Sequence, residues 1–278
     1  MNHFPKRYSR QLADSPVQYE MLINDMDSSR WLVLVHGINR DVDALLRWFS
    51  EPAQTANFNL IAPIFSAAHY PDYQRLGRQG LGARADKALL SCLSDARWLG
   101  LSLPAQLPLF GFSGGAQFAH RFALAHGQHL STLICAAAGW YTPLDTARKY
   151  PNGLAPSKRL PDLRFCARKL LSMPTLTLVG AEDIETDSAV RDRPEINHRQ
   201  GLHRRSRAEW WHQHLLAQTQ TQSHRPRHLL QVMPGCDHGM HTCALHGAMA
   251  SRVFAFLRQV QTRAKTSLSQ SRNTEFTL

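Results

Sequence analysis

Seven short apolar runs separated by longer amphipathic stretches constrain this chain more than any other feature of its sequence. The runs lie at 17–23, 31–35, 60–64, 107–112, 132–137, 175–179 and 228–232, and WLVLV and TLTLV among them suit strands covered on both faces. Between them, residues 42–56, 78–99, 114–125, 202–219 and 242–262 repeat apolar residues every three or four positions, the period of a helix with one buried face. Strands alternating with helices predict an α/β fold with a mostly parallel central sheet and helices on both faces. The polar cluster at 24–29 predicts an antiparallel hairpin joining 17–23 to 31–35.

With 278 residues, 43% of them hydrophobic, the chain can bury one large core, so a single domain over 1–264 is expected. Residues 139–174 hold five prolines and little periodicity, which predicts a loop-rich excursion able to act as a lid. The polar stretch 265–278 (KTSLSQSRNTEFTL) predicts a disordered tail.

Gly111-Phe112-Ser113-Gly114-Gly115 fits G-x-S-x-G, directly after an apolar run and before the helical stretch AQFAHRFALAH. A serine on so tight a strand-to-helix turn needs neighbours two residues away that are nearly without side chains, and the turn lifts its hydroxyl clear of the sheet. The helix that follows points unpaired N–H groups at the place where an oxyanion would form. This is the pattern of the nucleophile elbow of the α/β-hydrolase fold, which makes Ser113 the candidate nucleophile and Gly114 N–H a candidate oxyanion donor.

In that fold the second donor comes from the loop after an earlier strand, here Val35-His36-Gly37-Ile38, so Ile38 N–H pairs with Gly114 N–H. The chain order serine, acid, histidine excludes His36 as base, and its ring is read as a prop for the loop. Gly180-Ala181-Glu182-Asp183 follows the run at 175–179, where an orienting acid would sit; Asp183 is the choice, with Glu182 and Asp187 as rivals. Pro234-Gly235-Cys236-Asp237-His238-Gly239 follows the last apolar run and supplies the base, His238, with His241 as the near rival among fifteen histidines. Cys236, His238, His241, Cys243 and His246 crowd one segment, but no paired C-x-x-C spacing or second cluster completes a site, so no metal and no cofactor is expected.

GFSGGAQFAHRFAL at 111–124, Ala138-Gly139-Trp140-Tyr141, and the segments around His36 and Asp183 together resemble bacterial α/β-hydrolases of the poly(3-hydroxybutyrate) depolymerase-like, or esterase, group. The resemblance runs from about Trp31 to the last helix. It implies a serine hydrolase that cleaves carboxylic esters through an acyl-enzyme on Ser113, and it implies that Trp140 and Tyr141 lie near the acyl pocket; core packing is the other reading of that aromatic pair. A peptidase, an acyltransferase or a silent ligand-binding scaffold of the same fold are the alternatives.

No apolar leader follows the basic N-terminus, no run reaches the roughly 18 residues of a membrane span, and five cysteines give no disulfide framework, so the expectation is a cytoplasmic protein without membrane partners. Its partner is then a small-molecule or oligomeric ester. The net charge of +11 favours polyanions, and His198 to Arg207 (HRQGLHRRSR) would be their docking point. That run opens a helix, however, and is read as a charged helix start facing water. No nucleic-acid-binding motif accompanies it, so nucleic acid is not an expected partner.

Overall fold

The fold is given by a computed structural model that describes residues 5–186, 190–220 and 227–275. Among them, eight strands form one sheet: β1 (Lys6–Gln11), β2 (Gln18–Ile23), β3 (Trp31–Val35), β4 (Asn59–Ile64), β5 (Leu107–Phe112), β6 (Leu130–Ala136), β7 (Thr175–Gly180) and β8 (His228–Met233). Their order is β1-β2-β4-β3-β5-β6-β7-β8. The strands from β4 across to β8 run parallel, while β1 and β2 add an antiparallel edge.

Alternate residues of the central strands feed opposite cores, as the two-residue strand period requires. Val33, Val35, Leu109, Leu133 and Cys135 meet α2 (Ala85–Trp98) and α3 (Gly114–His126) in one core. Leu32, Leu34, Phe110, Ile134 and Leu178 meet α1 (Val42–Ala56) and α8 (Met249–Glu275) in the other. Helix α1 has the limits its periodicity predicts: Asp41 caps it by accepting from Ala44 N–H at 2.8 Å, and Leu45, Leu46, Phe49 and Ala53 form its buried stripe.

Four expectations need correction. The chain 17–23 does not form a hairpin with 31–35; β2 instead lies between β1 and β4, antiparallel to both. Helix α2 starts at Ala85 rather than 78, because Gly77, Gly80 and Gly82 all take positive φ and cannot continue a helix. The predicted last helix is two, α7 (Met240–Leu245) and α8, broken where Ala248 takes a φ of 47°. With neither Gly nor Pro in its 27 residues, α8 continues to Glu275 through most of the stretch for which composition predicts disorder; residues 276–278 lie outside those described.

The segment at 139–174 contributes α4 (Ala167–Ser172) and drives Trp140, Tyr141, Tyr150, Leu154, Leu160 and Leu163 inward, so it is packed into the core over much of its length. Helices α5 (Pro194–Gln200) and α6 (Arg204–Thr219) follow β7. No described helix is long and apolar enough to cross a membrane.

Candidate active site

The connection from β3 runs to one side of the sheet, into β4, and that from β5 to the other, into β6. A crevice opens beyond the carboxyl ends of such a strand pair, and Ser113 and the loop 36–40 are placed at it. Ser113 takes φ 52° and ψ −112°, a strained conformation for any residue with a Cβ. Two glycines make the turn sterically possible: a Cβ on Gly111 would stand 2.1 Å from the Gly115 carbonyl oxygen, and one on Gly115 would stand 2.1 Å from the Val35 carbonyl oxygen. Strand, helix and neighbouring loop therefore touch backbone to backbone around the serine.

Ser113 Oγ lies 3.0 Å from His238 Nε2, and His238 Nδ1 lies 3.0 Å from Asp183 Oδ2. The His238 ring also stacks on Phe112, with centroids 5.6 Å apart. Asp183 is buried, whereas Glu182 points to solvent and Asp187 lies outside the described residues. His241 packs edge-on against Trp48, away from this chain of hydrogen bonds. The acid and base loops are clipped together: Ala181 N–H donates to the Met233 carbonyl, Glu182 N–H donates to the Cys236 carbonyl, and a Cβ on Gly180 would meet that Cys236 oxygen at 2.2 Å.

Ile38 N lies 3.3 Å from the point where a Cβ on Gly114 would stand, so the two candidate oxyanion donors belong to backbones in contact beside Ser113. His36 holds the Ile38 loop as the sequence predicts. Its Nδ1–H donates to the Gly37 carbonyl at 2.8 Å and its Nε2 accepts Phe65 N–H at 3.0 Å, which fixes the neutral tautomer. Burial lowers its pKa to about 4, so it carries no charge at neutral pH. Tyr73 adds a clamp by donating to the His36 carbonyl.

The two aromatics of the AGWY stretch separate. Tyr141 is fully buried, stacks on Trp211 at 4.8 Å and is hydrogen-bonded through its backbone to Gln200, so it is a core residue and not a wall of the site. Trp140 is buried too, but it borders a small open pocket with Arg148, Arg199 and Gln200.

Arg204 is a residue of the site that carries no sequence signal for it. It was expected on a solvated helix start; instead Arg204 and Arg207 are buried, and Arg204 Nη1 donates to Asp183 Oδ1 at 3.3 Å. Arg207 donates to the Gly139 and Gly201 carbonyls and to Asn197. Two arginines of the basic run are therefore spent inside the molecule, because α6 starts directly behind the acid loop and turns them inward, while His198, Arg199 and Arg205 keep contact with solvent.

The sheet order, the strained serine and the serine–histidine–aspartate alignment define an α/β-hydrolase fold. Among solved structures it is similar to poly(3-hydroxybutyrate) depolymerase LpqC from Bordetella parapertussis, with a TM-score of 0.74 and 23% identity over 90% of each chain. It is also similar to poly(aspartic acid) hydrolase-1 from Sphingomonas, with a TM-score of 0.73 and 21% identity over 91% of this chain and 99% of that one. A third likeness is to the fluorophosphonate-binding serine hydrolase FphF of Staphylococcus aureus, at 0.58 and 11% over 91% and 98%. No family model matches the chain, and no curated protein matches it in sequence.

Proposed function

We propose that the protein is a serine hydrolase that cleaves carboxylic esters through an acyl-enzyme on Ser113. The observation that carries this reading is the unbroken alignment of Ser113 Oγ, the His238 ring and the Asp183 carboxylate, each step 3.0 Å. His238 Nε2 takes the serine proton as Oγ attacks the ester carbonyl, and Asp183 holds the ring in the tautomer that can accept it. Ile38 and Gly114 N–H groups receive the oxyanion, a contribution worth about 10²–10³ in rate per donor. The alcohol leaves with the proton returned by His238, and water, activated by the same ring, then releases the acid and restores the serine.

The ester reading draws support from the depolymerase likeness and from further similar structures described as an arylesterase and a ferulic acid esterase. A small or oligomeric ester in the cytoplasm is the proposed setting. The test is labelling by a fluorophosphonate probe together with turnover of 4-nitrophenyl esters. Wild type should label and turn over, Ser113→Ala should lose both, and His238→Ala should lose turnover by about 10³ or more. Folded wild-type protein that neither labels nor hydrolyses any ester would leave the silent scaffold as the reading.

A further inference from the structure

Arg121 stands two turns beyond Ser113 on α3, about 12 Å along the helix axis, and it is wholly buried without a carboxylate partner. Its Nε donates to Thr142 Oγ1, its Nη1 donates to the Gln74 and Gln117 carbonyls, and its Nη2 has no partner. Its guanidinium lies 4.2 Å from the Trp140 ring centroid, and that of Arg191 lies 5.5 Å from the same centroid. Arg191 Nε is a second buried donor without a partner.

Arg75 and Arg78 are near enough to lower the pKa of both Arg121 and Arg191 by repulsion, on top of the larger effect of burial. Two guanidiniums thus flank one indole, with Arg75 and Arg78 near enough to repel both. Against them stand Asp72, which already holds Arg75 at 2.6 Å and Arg78 at 2.8 Å, and Glu195 near Arg191. Burying positive charge in excess is costly unless an anion completes the site.

The cluster adjoins the candidate oxyanion hole. Gln74, next to Arg75, places its Cγ 3.3 Å from the point where a Gly114 Cβ would stand, and its buried Oε1 is unpartnered. The side matters as well. His238 must protonate the leaving alcohol, so the alcohol half of an ester lies toward the β8 end of the sheet. The acyl half then points across β5 toward the segment after β4, which carries Gln74, Arg75 and Arg78.

We propose that Arg121 and Arg191, which flank Trp140, form with the neighbouring Arg75 and Arg78 a subsite for a carboxylate on the acyl chain of the substrate. The inference rests on the ester-hydrolase reading for its catalytic readout, and the anion site itself can be tested without turnover. Planar guanidiniums suit a carboxylate because each offers a pair of parallel donors.

The test compares mono-4-nitrophenyl adipate with 4-nitrophenyl hexanoate, esters of equal chain length that differ by one terminal carboxylate. The ratio of their kcat/KM values should favour the charged ester by about tenfold or more in wild type, and it should fall at least about fivefold in Arg78→Ala and in Arg191→Ala. Arg263→Ala, an exposed arginine in α8, should keep the wild-type ratio. In parallel, calorimetry with monomethyl adipate on Ser113→Ala should show binding that weakens to the same degree when Arg191→Ala is added. A wild-type ratio at or below one, a ratio untouched by both cluster variants, or an equal fall in Arg263→Ala overturns the subsite; the last outcome would assign the preference to overall charge. Absent turnover with retained, Arg191-dependent binding would remove the ester reading and leave the subsite standing, while absent binding removes the subsite.

Discussion

Arg121 and Arg204 are both shut away from solvent, one on the helix behind the serine and the other on the helix behind the acid, yet their surroundings are opposite. Arg204 faces the Asp183 carboxylate, so two buried charges compensate each other. Arg121 faces carbonyls, a hydroxyl and the edge of a charge cluster of its own sign, and burial lowers its pKa to about 9. The acid side of the site is electrostatically complete; the side around Trp140 is built short of negative charge. The contrast teaches that the partners of a buried arginine, and not its burial, decide whether its charge is compensated within the fold.

Removing each charge in turn is the most direct way to break this comparison. Arg204→Met leaves the buried Asp183 carboxylate with His238 but without its cation and should cost about 3 kcal/mol of stability, read from urea unfolding midpoints, together with a fall in kcat as Asp183 loses one of its anchors. Lysine at the same place, Arg204→Lys, should recover part of both.

Acidification strikes the Arg121 side next. His36 and His120 are held neutral by burial, His36 with a pKa of about 4 and His120 well below 6.5 under the added repulsion of Arg121. Unfolded histidine takes up protons below about 6.5 and these two do not, so stability is full above pH 6.5 and drains as pH falls from there toward 4. At pH 5 His36 alone should cost about 2 kcal/mol relative to pH 7.5, with His120 adding in the same direction. Urea midpoints at the two pH values should show a smaller acid loss in Arg121→Met, where the repulsion on His120 is gone.

Arg121→Met itself should cost less than about 2 kcal/mol at pH 7.5, because lost hydrogen bonds are offset by the charge no longer buried. A cost equal to that of Arg204→Met would erase the distinction between the two arginines. Thr142→Val, which removes the acceptor of Arg121 Nε, should be the smallest effect, about 1 kcal/mol by the same measurement.

Much of the scaffold is legible in the sequence itself. The strands buried on both faces carry their own signal, and β3 and β5 begin and end where the apolar runs do. The nucleophile turn is equally legible because G-x-S-x-G is a local steric solution, whereas chain order narrows the acid to Asp183, Glu182 or Asp187 and the base to His238 or His241 without separating them. What could not be read is non-local. Strand β1 (KRYSRQ) has no apolar alternation, since an exposed edge strand draws its order from its neighbour, and its Arg7 and Ser9 bind Glu20 of β2 across the pair. The pairing of β2 with β4 depends on sheet topology that a polar turn cluster does not encode. Arg204 looked like a surface charge because nothing in HRRSR records that α6 will start against the acid loop.

The clip between the β7 and β8 loops has a mechanical consequence. With Gly180 pressed on the Cys236 carbonyl and two N–H groups of one loop bonded to the other, Asp183 and His238 ride on a single stiff piece rather than on two independent arms. The joint that remains is the one between that piece and the serine turn on β5, bridged at the site by the hydroxyl–imidazole contact and by the stacking of His238 on Phe112. On warming, the acid–base alignment should therefore outlast the serine–histidine contact, which is the first step of the relay to loosen.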